Sequence, residues 1–148
     1  MVKRTLSLMT LLIAVGTVAL LGSPTIAEEL TPVTLTNEMQ NKISGSLWEG
    51  EWFDTGNGVG GPAGLYLIIG YGHADAGFRI YEAAFGDHTF RATGKVTGNT
   101  MELVSRQKNT MWLSLFREKG RLVLKGGYDT LHGDFVGESG IYYFTKKD

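Results

Sequence analysis

No cysteine occurs in this chain of 148 residues. That excludes a disulfide framework, a thiolate nucleophile, a cysteine-based metal site and a lipid carried on an N-terminal cysteine. Charge of one sign is also missing: 14 Lys and Arg face 15 Asp and Glu, with no basic block of five or more. A nucleic-acid partner wants a basic face, so that class is disfavoured. Proline is scarce, at 3 residues, while glycine reaches 21 and aromatics 11%. This mix suits many short strands joined by tight turns, not a disordered chain.

Against that background the first 27 residues stand out. Lys3 and Arg4 form a basic head, an apolar run extends from Leu6 to Gly22, and Pro24-Thr25-Ile26-Ala27 makes a small-residue exit. This is the order of a secretory signal peptide cut after Ala27. The competing reading is a membrane anchor, but the run is short of the ~20 residues a spanning helix needs. Cleavage leaves 121 residues, with 12 basic against 15 acidic side chains and a net charge of −3. That length makes one domain with a core of its own. The expected compartment is periplasmic or extracellular, with no membrane attachment after cleavage.

The expected organisation is a signal peptide over 1–27, a leader over 28–44, and a β domain over 45–148. Within the leader, Thr36 to Ile43 places Met39 and Ile43 at i, i+4 before Gly45, which predicts one or two helical turns acting as a plug or surface turn. From Ser46 the period becomes two. Strands are expected near 46–53, 64–71, 77–85, 88–97, 99–106, 110–117, 120–128 and 132–145. Gly86-Asp87, Gly98-Asn99, Lys108-Asn109 and Glu118-Lys119-Gly120 supply hairpin signals. Short connections make consecutive strands antiparallel neighbours, and eight of them shed their open edges by closing. The predicted fold is therefore all-β, an eight-stranded antiparallel up-and-down barrel with a short N-terminal helical turn. A β-sandwich is the alternative.

Strand parity then assigns faces. Trp48, Trp52, Leu65, Leu67, Ile69, Phe90, Val96, Met101, Leu103, Met111, Leu113, Leu115, Leu122, Leu124, Ile141 and Tyr143 fall to the interior. The opposite set carries Glu49, Glu51, Arg79, Arg91, Lys95, Glu102, Arg106 and Lys125, but also Tyr66, Ile68, Tyr81, Phe85, Val104, Trp112, Phe116, Tyr142 and Phe144. Those apolar residues exceed what a solvated exterior carries. Either a partner covers them, or the parity slips by one residue in some strands.

The opening run Gly45-Ser46-Leu47-Trp48-Glu49-Gly50-Glu51-Trp52 resembles the first strand of calycin-type barrels: the lipocalins, fatty-acid-binding proteins and avidins. Lys125-Gly126-Gly127-Tyr128, followed by a Gly-rich aromatic last strand, is similar to them as well. The resemblance covers roughly residues 45–145 and implies an eight-stranded barrel holding a small apolar ligand. Here Gly45 and Trp48 are three apart, where the lipocalin opening is Gly-x-Trp, and Tyr128-Asp129-Thr130 only echoes the lipocalin Thr-Asp-Tyr signature.

Constellations for chemistry are thin. His73, His88 and His132 sit in or near separate turns, short of the three converging ligands a zinc site needs. Ser46, Ser105, Ser114 and Ser139 have no nucleophile-elbow context. The Gly56–Gly61 stretch precedes a strand instead of opening a helix, so it reads as a loop at a barrel mouth and not as a phosphate cradle. Glu49 and Glu51 read as a solvated pair. Glu82 shares parity with Phe78 and Ile80, which puts a carboxylate toward an apolar interior. It needs a partner there, such as Arg79 or Arg91, or it anchors a ligand.

No catalytic residue, metal or cofactor is expected. The primary functional expectation is a barrel binding a small apolar ligand through Trp48, Trp52, Leu67, Glu82, Leu113 and Tyr143. The alternative is a filled barrel acting as an interaction or structural module, joining a protein partner or a second copy through an outer face of Tyr66, Tyr81, Trp112, Phe116 and Tyr142. An outer-membrane barrel is disfavoured by short strands, charges on the outward set and the ending Lys146-Lys147-Asp148.

Overall fold

The computed structural model describes residues 29–84, 86–130 and 138–148. The expected signal peptide, Phe85 and His132 lie outside the described residues. In chain order the elements are β1 (Thr31–Pro32), α1 (Asn37–Ile43), β2 (Ser46–Asp54), β3 (Gly60–Gly70), β4 (His73–Glu82), β5 (Gly86–Thr97), β6 (Thr100–Ser105), β7 (Thr110–Glu118), β8 (Arg121–Thr130) and β9 (Glu138–Lys146).

From β2 to β9 each strand pairs antiparallel with its sequence neighbour, and β9 returns to β2 with Trp52 opposite Tyr142. The sheet is thus a closed up-and-down barrel, and the sandwich alternative falls away. Closure needs sharp bends at the seams. A Cβ on Gly50 would lie 1.8 Å from the Tyr143 carbonyl oxygen, one on Gly94 1.8 Å from that of Glu102, and one on Gly126 1.7 Å from that of Trp112. Only glycine lets the neighbouring strand come that close.

The hairpin turns at 71–72, 98–99 and 119–120 gather at one end. Loops 55–59 and 106–109 gather at the other. The first end is covered by the leader. Strand β6 stops short of the end of β7, and β1 takes the vacated edge, pairing Thr31 with Arg117 and Pro32 with Phe116. Val33 N–H then donates to the Leu115 carbonyl and Leu35 N–H to that of Gly98. Thr36 caps α1 by accepting from the Met39 N–H, and Ile43 is driven to zero exposure against the barrel. Gln40, buried, donates to the Leu35 carbonyl and accepts from the Gly72 N–H. The expected helical turn is therefore a plug tied to the turn between β3 and β4.

Parity holds through β8. Trp48, Trp52, Leu65, Leu67, Ile69, Met101, Leu103, Met111, Leu113, Leu115, Leu122 and Leu124 are buried, with Phe90 and Val96 packed against them. It fails in β9. Tyr142 and Phe144 point inward, while Ile141 is 54% exposed and Tyr143 lies outside. Residues paired directly across a ladder share a face. Phe144 opposite Leu124, and Tyr142 opposite Trp52, fix β9 one residue away from the expected phase.

Candidate functional site

Aromatic rings cross the lumen. Phe90 stacks on Phe78 at 4.9 Å, Phe78 meets Tyr142 at 5.4 Å and Phe144 at 6.2 Å, and Tyr142 meets Tyr128 at 5.2 Å. The line runs from β5 and β4 to β9 and β8 and divides the barrel. Toward the plugged end most inward side chains are sealed, Trp48, Leu67 and Leu113 at 1%, 0% and 0% exposure, with Val96 partly buried. These three serve as packed core. Trp48 donates its indole N–H to the Ser46 hydroxyl at 2.7 Å.

The other end is different. Trp52 is buried, with its indole N–H donated to the Tyr81 carbonyl at 2.9 Å. Asp54 is also buried and organises loop 55–59, accepting from the N–H groups of Gly56 and Asn57 and, at 3.4 Å, from the Tyr128 hydroxyl. Beside it, on β4 and β5, the inward-parity residues Ile80, Glu82 and Phe90 stay partly exposed. Glu82 lies at the mouth, on the face shared with Phe78 and Ile80. The ion pair considered for it is not formed: Arg79 binds Asp87 at 2.6 Å and Arg91 binds Asp75, both on the outer face. Among the described residues Glu82 has no hydrogen-bond or ionic partner.

Two further polar groups lie at or near this half. The Oδ1 of Asn109, in the loop between β6 and β7, is buried without a hydrogen bond among the described residues. The Tyr142 hydroxyl likewise makes none among the described residues, and burial, with Tyr128 beside it, pushes that phenol up from its ordinary pKa. Among the described residues this end thus brings a layer of rings next to a few polar groups, the residue types small-molecule sites use. His73 opens β4 at the plugged end and His88 lies near the start of β5 at the other, so these two do not converge.

The expected outer face is corrected. Tyr66, Tyr81 and Trp112 are exposed at 45%, 45% and 44%, but Tyr142 is internal, and Phe116 is half-covered between Pro32 of β1 and Val123 of β8. Nor do the exposed rings form one surface. In a closed barrel equal parity means only "outward", and β3 and β7 stand on opposite sides. Tyr143, expected inside, donates to Glu118 at 2.5 Å under Lys125, whose Nζ sits 4.9 Å from the ring centroid. The Glu118 bond pushes Tyr143 up to about 12 and holds the Glu118 carboxyl below its usual range.

Two features went unread in the sequence. One is the ring layer, because Phe78 and Tyr142 meet only after closure. The other is a trough of about 620 Å³ on the outer face of β2 to β5, walled by Leu47, Glu49, Tyr66, Arg79, Thr89 and Arg91 and floored at Gly64 and Gly77. The arginines hold their partners' carboxyls, Asp87 and Asp75, below the usual range.

The fold defines the class: a closed eight-stranded antiparallel up-and-down barrel with a layer of aromatic rings across its interior. No family description and no curated protein matches the chain. Among solved structures it is similar to that of apo shwanavidin (P21 form), at 16% identity and a TM-score of 0.43, over 66% of this chain and 96% of that one.

Proposed function

We propose that this chain is an exported barrel that binds a small, largely apolar ligand at the mouth opposite the α1 plug. The ligand rests its apolar part on Phe90 and Ile80, which Phe78 backs, and turns a polar group toward Glu82, the Tyr142 hydroxyl or Asn109. One observation carries the reading. Ile80, Glu82 and Phe90 face inward at this end and stay partly exposed, Glu82 with no side-chain partner among the described residues, while Trp48, Leu67 and Leu113 toward the plugged end are sealed. Buried or half-buried polar groups without partners are what a ligand satisfies. The basic head, apolar run and Ala27 exit support export.

Native mass spectrometry of protein purified from its host is expected to show a bound small molecule. Phe90→Ala and Glu82→Gln should each release it while circular dichroism stays unchanged. A ligand-free wild type that also fails to bind 1-anilinonaphthalene-8-sulfonate would remove the mouth as a site.

A second reading rests on a different surface. Outward residues Trp112, Ile141 and Phe53 follow one another across the ladder over the bare Gly127, with Val104 diagonal to Trp112. All four are more than 40% exposed. Apolar rows of this kind join protein surfaces. A second copy meeting that row is expected to give a dimer in analytical ultracentrifugation that Trp112→Lys disperses. A wild type that sediments as a monomer at micromolar concentration would discard this reading.

A further inference from the structure

The outer trough is a cavity with an unusual floor. Gly64 and Gly77 lie on adjacent strands, outward between buried neighbours. Neither is required by the barrel. A Cβ at Gly64 would meet only the Trp48 carbonyl oxygen at 3.9 Å, and one at Gly77 only that of Tyr66 at 4.0 Å, both ordinary contacts. This is the reverse of Gly50, Gly94 and Gly126, where closure demands the missing side chain. Glycine inside a strand is unfavourable, and where the fold does not need it, it marks close approach by something else.

The walls say what approaches. Each cation on them is already neutralised: Arg79 by Asp87, Arg91 by Asp75 and Lys147 by Glu49. A net-charged occupant gains little from such a rim. What remains is a mostly apolar floor, suited to the C–H face of a sugar ring, under a rim of donors and acceptors side by side, the complement of a hydroxyl group, which both donates and accepts. Tyr66 adds a ring 45% exposed, opposite Leu47 on one side and bare Gly77 on the other. An extended peptide recognises a sheet through a free edge. Strands β3 and β4 are paired on both sides and offer none. A second groove of about 540 Å³ shares Glu49, Gly64 and Arg79 with the first and runs on to Tyr81, so the occupant has room to be a chain.

We infer that the Gly64–Gly77 trough is a binding site for a neutral, hydroxyl-rich oligosaccharide, with a sugar ring laid on Tyr66 and its hydroxyls shared between the Arg–Asp pairs. This site is separate from the mouth and does not rest on the mouth reading. The test uses the full mature chain and a panel of neutral hexasaccharides (cellohexaose, laminarihexaose, maltohexaose and chitohexaose) followed by isothermal titration calorimetry at millimolar concentration. At least one is expected to bind. Tyr66→Ala should weaken it about tenfold, the size of one lost aromatic contact. Gly77→Leu, which fills the trough, should abolish it while leaving the urea midpoint at or above wild type. Binding of 1-anilinonaphthalene-8-sulfonate at the mouth should be untouched by either variant. The inference is overturned if none of the sugars binds, or if binding survives Gly77→Leu. It is also overturned if Gly77→Leu turns a wild-type dimer into a monomer without any sugar having bound, since the trough is then a contact between copies.

Discussion

Tyr143 and its neighbour Tyr142 show how much one position decides. The alternation in Ile141-Tyr142-Tyr143-Phe144 is plain in the sequence, yet both phases of it are apolar, so hydrophobicity alone does not choose between them. The choice comes from the ladder partners Trp52 and Leu124, which no local pattern reveals. Outside the barrel Tyr143 makes an acid–phenol bond with a definite pH signature. Glu118 is depressed by that bond, so its contribution is present above the ordinary carboxylate range and is lost as pH falls through its folded value. Tyr143 is raised, so its contribution is complete below the free phenol value of about 10 and is lost as pH rises through about 12. Tyr143→Phe should therefore lower the melting temperature at neutral pH. The difference from wild type should shrink as pH falls through the depressed folded value of Glu118. A pH-independent difference would assign the loss to packing instead.

Among the elements, α1 and the strands around it were the easiest and the hardest to read. Thr36, the Met39–Ile43 spacing and Gly45 mark the helix in the sequence, and the structure places it there with Thr36 as cap. Its role as a plug depends on Gln40, whose importance is invisible until the turn between β3 and β4 comes down on it. Gln40→Ala should strand the Leu35 carbonyl and the Gly72 N–H and cost ~1–3 kcal/mol in urea unfolding. Amide exchange at Gly72 should accelerate alongside; a protected Gly72 amide in the variant would mean that the plug is held by Ile43 alone. The strands failed in an instructive way. Gly64 and Gly77 look like punctuation and set the expected starts of two strands, but β3 begins at Gly60 and β4 at His73. Reading glycine as a stop concealed the trough that these residues floor.

For the molecule as a whole, strand count, order and closure were legible, because short connections leave an antiparallel meander little choice. Azimuth was not. Parity says in or out, and only closure says which outward residues share a side. The close strand approach of the barrel in turn rests on glycines such as Gly50, Gly94 and Gly126. Gly126→Ala should destabilise by more than ~3 kcal/mol, since backbone must move to admit the methyl. Gly64→Ala should be neutral or gain up to ~1 kcal/mol. Thermal melts of the two variants side by side decide it, and equal melting temperatures would mean that the seams are looser than their geometry.

The β2–β9 seam also sets a clock. Glu49 and Thr145, hydrogen-bonded across it, are 96 positions apart. Joining ends that distant costs about 3 kcal/mol more in chain entropy than closing a hairpin turn. Hairpins can come and go early, but the first barrel strand waits, with one edge unpaired, for the last to be synthesised. A growing chain therefore has no finished barrel to get stuck in. Under the export proposal the same geometry has a use: closure needs β9 beside β2, so no part of the chain short of β9 can complete the barrel before it crosses.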